Sequence, residues 1–391
     1  MCQHSHEQGF FSPRADVTTG FRQEARRGGR FPRPGPLSTL GPTRSARISA
    51  YIDRSQLPWK GLFMSRFLMR RALVACGAAG ALCASSTVAA PAAQAAALPV
   101  GINAPYLYLG WGHPQNPVSV MKATGLKQFT LSFITSGGTC NPKWDGSRPL
   151  KGGAEEKAVK NIRAAGGDVA VSFGGWSGNK LGISCTTPTA LAHAYQKVIS
   201  AYRLKAIDVN IEHTEDDKPV VRQRIVDALK KVKAANPSLR IYVTFSGRAD
   251  GPVHTIRDLI KRAGAAHLPV TGWNVMAFNF DTPHTMGTTT MKTADGVKNA
   301  VAAAYRVKSD TAYRHIGIST MNGKTDMKGQ RISVRNFRTM LGYAQRHHLA
   351  RFTFWSVNRD RSCTRGLDAD SCSGVKQAPY EYTKVVARYH G

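Results

Sequence analysis

The chain has 391 residues, of which 42% are hydrophobic, and its formal net charge is +30. That length can bury one large core or two modest ones. A charge this basic would suit a nucleic-acid-binding protein. However, the Lys and Arg residues are scattered along the chain, with no charged block and no recognised nucleic-acid motif. We therefore expect no nucleic-acid partner, and the charge instead favours solubility and attraction to anionic cell-wall polymers.

The N-terminal part has the order of segments that is typical of a secretory signal peptide. Residues 64–71 are basic, residues 72–90 are Ala-rich and uncharged, and small residues at 93–95 offer a cleavage site. A membrane anchor is the alternative, but the segment is weakly hydrophobic and is interrupted by Ser85, Ser86 and Pro91. We therefore assign residues 64–95 as a signal and expect a secreted, extracellular protein, with no stable membrane insertion after cleavage.

Residues 1–63, ahead of this signal, are rich in Arg, Gly and Pro and show no helix or strand periodicity. We interpret them as a disordered extension or as the product of a start codon placed too far upstream.

Residues 96–391 alternate between short β-branched runs and amphipathic helical stretches, which suits one large domain. The predicted strands are 101–108, 129–134, 168–173, 206–212, 240–245, 272–280, 315–320 and 351–357. The predicted helices are 155–165, 189–202, 220–235, 253–263, 295–307, 334–347 and 380–389. Eight βα units of this size predict a (β/α)8 TIM barrel of class α/β. A doubly wound open sheet is the alternative, but no G-x-G-x-x-G turn follows the first strand.

The domain contains four cysteines, Cys140, Cys185, Cys363 and Cys372. An even number in an exported chain predicts two disulfides, for which three pairings are possible. Cys363–Cys372 is the local choice and leaves Cys140 with Cys185. A zinc site is the alternative, but the sequence has no C-x-x-C and no adjacent His pair, so we expect no metal.

The fourth predicted strand carries an unusual polar row. Side chains two apart share a face of a strand, so Asp208, Asn210 and Glu212 point the same way. A strand surrounded by αβ units is normally apolar on both faces, and burying two carboxylates and an amide would be costly. The row therefore indicates a wet or ligand-filled site. An edge strand with its polar face in water is the alternative.

Other predicted strands also end in conspicuous residues, and in a barrel the carboxyl ends of the strands form the active site. The first strand holds Tyr106, and the third ends in Ser172, Gly174, Gly175 and Trp176. The sixth holds Met276, Phe278 and Asn279, and the eighth holds Trp355. Aromatic side chains at such a rim suit the apolar faces of sugar rings.

These motifs resemble glycoside hydrolase family 18, the chitinase family, and within it a bacterial and archaeal chitinase subgroup. The family's S-x-G-G motif corresponds to residues 172–175, and its D-x-D-x-E motif corresponds to Asp208, Asn210 and Glu212. Met276 on the sixth strand, Met321 on the seventh and Trp355 on the eighth also fit. The resemblance covers the chain from residue 100 to its end.

The resemblance implies hydrolysis of β-1,4-linked N-acetylglucosamine in chitin by a substrate-assisted retaining mechanism, without a cofactor. Glu212 would act as general acid and then activate water, while the substrate's acetamido oxygen attacks the anomeric carbon and forms an oxazolinium ion. Asn210 would hold the acetamido N–H, and Asp208, supported by Ser172 and Tyr106, would tune Asn210. We expect a monomer whose partner is chitin or an N-acetylglucosamine oligosaccharide.

The sequence departs from the family at three positions. Asn210 replaces the middle acid of the fourth strand, and residues 278–280 are Phe, Asn and Phe where members carry an Asp and a Tyr. We therefore expect impaired or altered activity, with Asp281 as a candidate substitute for the missing carboxylate. One alternative is a lectin-like barrel that binds chitin and cleaves it weakly or not at all. Another is hydrolysis of a different N-acetylhexosamine polymer.

Overall fold

The computed structural model of the protein describes residues 102–281 and 285–391. The predicted signal peptide at 64–95 and the predicted extension at 1–63 lie outside the described residues, so both assignments stay predictions. Within the described ranges, no helix combines the length and the apolar character that crossing a membrane requires.

Eight parallel strands form one sheet, in which each strand pairs with the next along the chain. They are β1 (Tyr106–Tyr108), β2 (Gln128–Ser136), β3 (Asp168–Gly174), β4 (Ala206–Ile211), β5 (Arg240–Arg248), β6 (Gly272–Met276), β7 (Ile316–Met321) and β8 (Arg351–Trp355). Ile102, just before β1, forms a parallel bridge with Arg351 of β8. The backbone N–H of Phe352 also donates to the carbonyl of Ile102 at 3.1 Å. These contacts bring the first and last strands together, so the predicted (β/α)8 barrel is confirmed and the open-sheet alternative is wrong.

Helices alternate with the strands. In the described part of the chain they are α1 (Pro117–Thr124), α2 (Ala154–Ala164), α3 (Leu181–Ser184), α4 (Pro188–Tyr202), α5 (Pro219–Ala235), α6 (His254–Ala265), α7 (Met286–Tyr305), α8 (Ser309–Tyr313), α9 (Val334–His347) and α10 (Glu381–Val386). Short 3-10 turns, His213–Glu215 and Val357–Arg359, follow β4 and β8. Three small antiparallel pairings decorate the barrel: Pro142–Trp144 with β2, Gly251–Pro252 with the end of β5, and Gly323–Lys324 with Arg331–Ile332.

The sequence prediction misses the short helices α1, α3 and α8, and it places the start of α7 too late. The prediction misses α1, which is only eight residues long and is defined by its ends: Asn116 accepts from two backbone N–H groups, and Gly125 closes the helix at φ 76°. The long helix α7 begins at Met286 rather than at residue 295. Its first turns contain three threonines, whose β-branched side chains lower helix propensity. Thr290 Oγ1 instead donates to the carbonyl of Ala277 at 3.2 Å and ties the helix to the residue after β6.

The predicted strand 272–280 is too long. β6 ends at Met276, and Asn279 has φ 56°, in the left-handed region that a strand does not use. Phe278, Asn279 and Phe280 therefore lie in a loop that follows the strand, and the alternation of a strand cannot be used to place their side chains.

The two faces of β4 differ in chemistry. Ile207, Val209 and Ile211 belong to the apolar core between the sheet and the helices. Asp208 and Asn210 are buried on the opposite face, inside the barrel. Other strands contribute further buried polar side chains, namely Thr130, Thr244, Asn274, Arg351 and Thr353. The interior of the barrel is therefore lined by polar side chains, beneath the carboxyl ends of the strands.

Both disulfides of the local pairing are present. Cys140, after β2, is bonded to Cys185 at the end of α3, and Cys363 is bonded to Cys372 in the loop after β8. The first bond fastens the loop after β2 to the segment after β3, and the second closes a short turn within the loop after β8.

Candidate active site

Asp208, in the middle of β4, accepts hydrogen bonds from three other strands. Ser172 Oγ donates to Oδ2 at 2.7 Å, Tyr106 OH donates to the same oxygen at 2.9 Å, and Thr244 Oγ1 donates to Oδ1 at 2.6 Å. Burial and the nearby Asp208 charge raise the pKa of Tyr106 well above its usual range, so its phenol stays a neutral donor. The structure thus brings Ser172 and Tyr106 onto the same carboxylate.

Arg351 is a partner of Asp208 that the sequence reasoning missed. Its Nη1 lies 2.7 Å from Asp208 Oδ1, and both side chains have no exposed surface. Nη2 donates to Thr130 Oγ1 at 2.6 Å, and the guanidinium carbon lies 5.1 Å from the ring centre of Tyr106. Arg351 begins a strand whose other residues are uncharged, and a charged residue at that position was the available signal. The ion pair balances the charge of Asp208 within the barrel.

Asn210 has 2% of its surface exposed, and its Oδ1 has no hydrogen-bond partner in the described part of the structure. Gly174 leaves room for the backbone carbonyl of Asn210, because a Cβ at Gly174 would lie 2.1 Å from that carbonyl oxygen. Gly174 also has φ 104°, and the N–H of Gly175 donates to the same carbonyl at 3.0 Å. The turn after β3 is therefore fixed against Asn210 by backbone contacts, and the amide oxygen remains an unused buried acceptor.

Glu212 follows the last residue of β4 and is partly exposed. Burial raises the pKa of this carboxyl to about 7; Asp208 and Asp326 raise it further, while Lys180 and a hydrogen bond from Asn210 oppose the rise. A carboxyl with this pKa is protonated in a large fraction of molecules near neutral pH. That property is what a general acid needs.

Aromatic rings form a floor beside these carboxyls. Trp355 stacks on Phe133 with 5.5 Å between ring centres and an interplanar angle of 16°. Tyr106 and Tyr108 lie 5.9 Å and 6.3 Å from Trp355, and Tyr108 continues the row to Trp111 at 4.9 Å. Trp111 has 55% of its surface exposed. The sequence reasoning missed Phe133, Tyr108 and Trp111, because strand periodicity alone does not distinguish a rim aromatic from a core one.

Trp176 is separate from this floor in the contacts of the described residues. It is 63% exposed, and its ring lies 4.8 Å from that of His213, the residue after Glu212. The predicted aromatic set is therefore divided: Trp355 and Tyr106 pack together, and Trp176 stands on the Glu212 side of the rim.

In the loop after β6, the side-chain amide of Asn279 is hydrogen-bonded to Asp326 and is not free. Asn279 Nδ2 donates to Asp326 Oδ2 at 2.7 Å, and the backbone N–H of Asp326 donates to Asn279 Oδ1 at 3.1 Å. Asp281, the candidate substitute, is exposed and lines a surface pocket with Met327. The carboxylate that Asn279 holds is therefore that of Asp326.

The other predicted residues lie at the same rim. Met276 is partly exposed at the end of β6, Phe278 packs partly buried against the core, and Met321 is buried beside Trp355 in the β7–β8 register.

A second buried carboxyl, also missed from the sequence, stands behind the β3 turn. Glu215 is 2% exposed; its Oε1 accepts from the N–H of Gly182 at 3.0 Å, and its Oε2 has no partner in the described residues. Lys180 is 3% exposed and donates to the carbonyls of Gly175 and Ser177. Within the described ranges, no three His, Cys, Asp or Glu side chains are grouped as metal ligands.

Comparison with known proteins gives relatives of one kind, although no protein-family model matches the chain. The chain is 25% identical over 314 residues to a probable bifunctional chitinase/lysozyme of Escherichia coli (strain K12), which covers 75% of this chain and 35% of that protein. It is 24% identical over 282 residues to endochitinase 11 of Metarhizium anisopliae, covering 68% of this chain and 53% of that protein. The chain thus spans about a third and about half of the lengths of these two relatives.

The fold has a solved counterpart of nearly its own extent. The catalytic domain of a hyperthermophilic chitinase from Pyrococcus furiosus superposes with a TM-score of 0.68 at 25% identity, over 75% of this chain and 96% of that one. The likeness extends through the barrel, since it leaves little of the solved domain unmatched.

Proposed function

We propose that this chain, a chitinase-like barrel of the glycoside hydrolase family 18 kind, hydrolyses β-1,4-linked N-acetylglucosamine polymers with Glu212 as the acid and base. The observation that carries the proposal is the pair Asn210 and Glu212. A partly exposed carboxyl with a pKa of about 7 stands beside a buried amide oxygen that has no partner among the described residues. The names of the relatives support chitin as the substrate.

In the first step, Glu212 donates its proton to the glycosidic oxygen as the C1–O bond breaks. The acetamido carbonyl oxygen of the same sugar attacks C1, and the new C1–O bond closes a positively charged oxazolinium ring fused to the sugar. Asn210 Oδ1 accepts the acetamido N–H and orients that group. In the second step, the Glu212 carboxylate takes a proton from water, which attacks C1 and opens the oxazolinium with net retention.

Charge stabilisation of the oxazolinium is the weak part of this site. Asn210 is neutral, and the charge of Asp208 is balanced by Arg351 at 2.7 Å. Losing one preorganised polar contact to a transition state costs about 3–4 kcal/mol. We therefore propose that the protein is an impaired hydrolase, whose turnover is lower by orders of magnitude than that of an enzyme with a carboxylate at position 210.

The second candidate function is a lectin-like barrel that holds the sugar without cleaving it. It is favoured by the same substitutions, Asn210 with Phe278 and Asn279, because binding needs the aromatic floor and the acetamido acceptor but not the charge. Trp355 and its stacked neighbour Phe133 serve either function.

The test is release of a fluorophore from a chitobioside by the full chain, with Glu212→Gln as the matched control. For a hydrolase we expect Glu212→Gln to lower turnover by about 100-fold or more. Chitin binding is measured on the same two proteins by sedimentation with chitin. Binding by both proteins with equal, negligible turnover would reject the hydrolase and support the lectin.

Export is part of the proposal. Two disulfides are typical of a protein that folds in an oxidising compartment, and the sequence at 64–95 has the form of a signal peptide. The protein would act outside the cell as a monomer, where its positive charge attracts it to anionic cell-wall polymers.

A further inference from the structure

Two buried ionisable side chains lie directly behind the proposed catalytic residues and have no role in the steps above. Glu215 ends the 3-10 turn that begins after Glu212, and its N–H donates to the carbonyl of Glu212 at 3.3 Å. Lys180 donates to the carbonyl of Gly175, whose own N–H is bonded to Asn210. Both are therefore joined by one or two hydrogen bonds to the backbone that positions Asn210 and Glu212.

The pocket around Glu215 is shaped for a carboxyl. A Cβ at Gly182 would lie 2.4 Å from Oε1, and a Cβ at Gly174 would lie 3.4 Å from Oε2. Glycines thus leave the space that the carboxyl occupies, and one oxygen accepts from Gly182 while the other is unpaired among the described residues. A buried acid with one unused oxygen is costly unless it interacts with a charge.

We propose that Lys180 and Glu215 are positioning residues for Glu212, with Lys180 supplying one positive charge for which the two carboxyls compete. The inference rests on the proposed role of Glu212. Whenever Glu215 is ionised, its negative charge engages Lys180. The proton then resides on Glu212, where the acid step needs it.

Lys180 acts electrostatically on both carboxyls. Burial raises the pKa of Glu215 to about 7, as it does for Glu212, and Lys180 is the strongest opposing charge for both carboxyls. Burial lowers the pKa of Lys180, and Glu215 and Glu212 oppose that fall. The other groups facing Glu215 are Asp216 and Tyr195, and Arg224 bonds to the carbonyl of Gly182.

The experiment measures the titration midpoint of the Glu212 carboxyl directly and does not depend on an activity assay. The chain contains seven glutamates, so uniform 13C labelling of their carboxyls gives a simple NMR spectrum, in which Glu212→Gln identifies the resonance. In Glu215→Gln, Lys180 acts on Glu212 alone, and we expect the midpoint of Glu212 to fall by about one pH unit. In Lys180→Gln, which keeps a donor for the two carbonyls, we expect the midpoint to rise.

Opposite shifts are what separates the proposal from a structural effect. A pocket that merely loosened would admit water and lower the midpoint in both variants. Tyr195→Phe is the matched control, because it alters the same pocket without removing a charge, and it should leave the midpoint unchanged. A fall in both variants, or no shift in either, would overturn the proposal.

If Lys180→Gln does not fold, the comparison is made between Glu215→Gln and Tyr195→Phe. A fall of the Glu212 midpoint in Glu215→Gln that Tyr195→Phe does not reproduce supports the proposal, and equal falls in the two variants reject it. Fluorophore release is measured in a separate experiment, so the titration of Glu212 can be interpreted even if no hydrolysis is found.

Discussion

Arg351 at the start of β8 is paired at 2.7 Å with Asp208 in the middle of β4, and neither side chain reaches solvent. The strand that completes the barrel is therefore linked directly to the strand that carries the proposed acid. A buried ion pair contributes little net stability over an apolar pair, but removing one partner leaves a buried charge unpaired. The same ion pair therefore contributes both to closing the barrel and to holding Asp208 in the proposed site.

The first prediction concerns that pair. Arg351→Met should lower the free energy of unfolding by about 3–5 kcal/mol, because it leaves the Asp208 carboxylate buried without its cation. The double variant Asp208→Asn with Arg351→Met should recover part of this loss, since no charge is stranded. Urea unfolding of the single and double variants measures the coupling.

The control is the surface pair of Lys205 with Asp168, 3.5 Å apart with Lys205 68% exposed. Lys205→Met should cost no more than about 1 kcal/mol. Equal losses for Arg351→Met and Lys205→Met would show that the buried pair is not special.

The second prediction concerns pH and stability. Burial raises the pKa of Glu212 and of Glu215 to about 7, whereas an unfolded glutamate titrates near about 4.3. Between these values the folded chain binds more protons, so the free energy of unfolding should fall as the pH rises. Each carboxyl contributes up to about 1.4 kcal/mol per pH unit. Urea unfolding at a series of pH values should give a smaller slope in Glu215→Gln.

The matched control is Glu156→Gln. A hydrogen bond from the backbone N–H of Gly152 lowers the pKa of Glu156, so its contribution appears only below the interval in question. The slope should therefore be unchanged in Glu156→Gln, and an equal change in both variants would contradict the assignment.

Much of this barrel is readable from sequence, because strand and helix periods are local properties. The same holds for Asp208, Asn210 and Glu212, which share a face since they alternate along one strand. Arg351 lies 143 residues from Asp208, and no local pattern connects the two. Lys180 and Glu215 resemble ordinary loop charges in the sequence. They are buried because Lys180 folds back onto the turn after β3 and Glu215 packs against Gly182 of α3.

The third prediction concerns Asp326, which Asn279 holds by two hydrogen bonds. Asp326 raises the pKa of Glu212 through space. In Asp326→Asn the midpoint of the Glu212 carboxyl should fall, because the negative charge of Asp326 no longer disfavours the ionised form of Glu212. The fall should be well under about one pH unit, since water screens the exposed Asp326. NMR titration of Glu212 measures it, and Asp281→Asn, another exposed carboxylate of the same rim, should give no fall.

The fourth prediction concerns the amide of the polar row. Asn210→Asp should raise turnover of a chitobioside, because a carboxylate at this position offsets the oxazolinium charge and still accepts the acetamido N–H. The gain should be partial, since residues 278–280 remain Phe, Asn and Phe and offer no phenol to place the acetamido oxygen. Asn210→Ala is the control: it removes the acceptor and should lower both turnover and affinity. Turnover in Asn210→Asp equal to that of a fully active chitinase would show that the loop after β6 is not limiting, and no gain at all would show that charge at position 210 is not the deficiency.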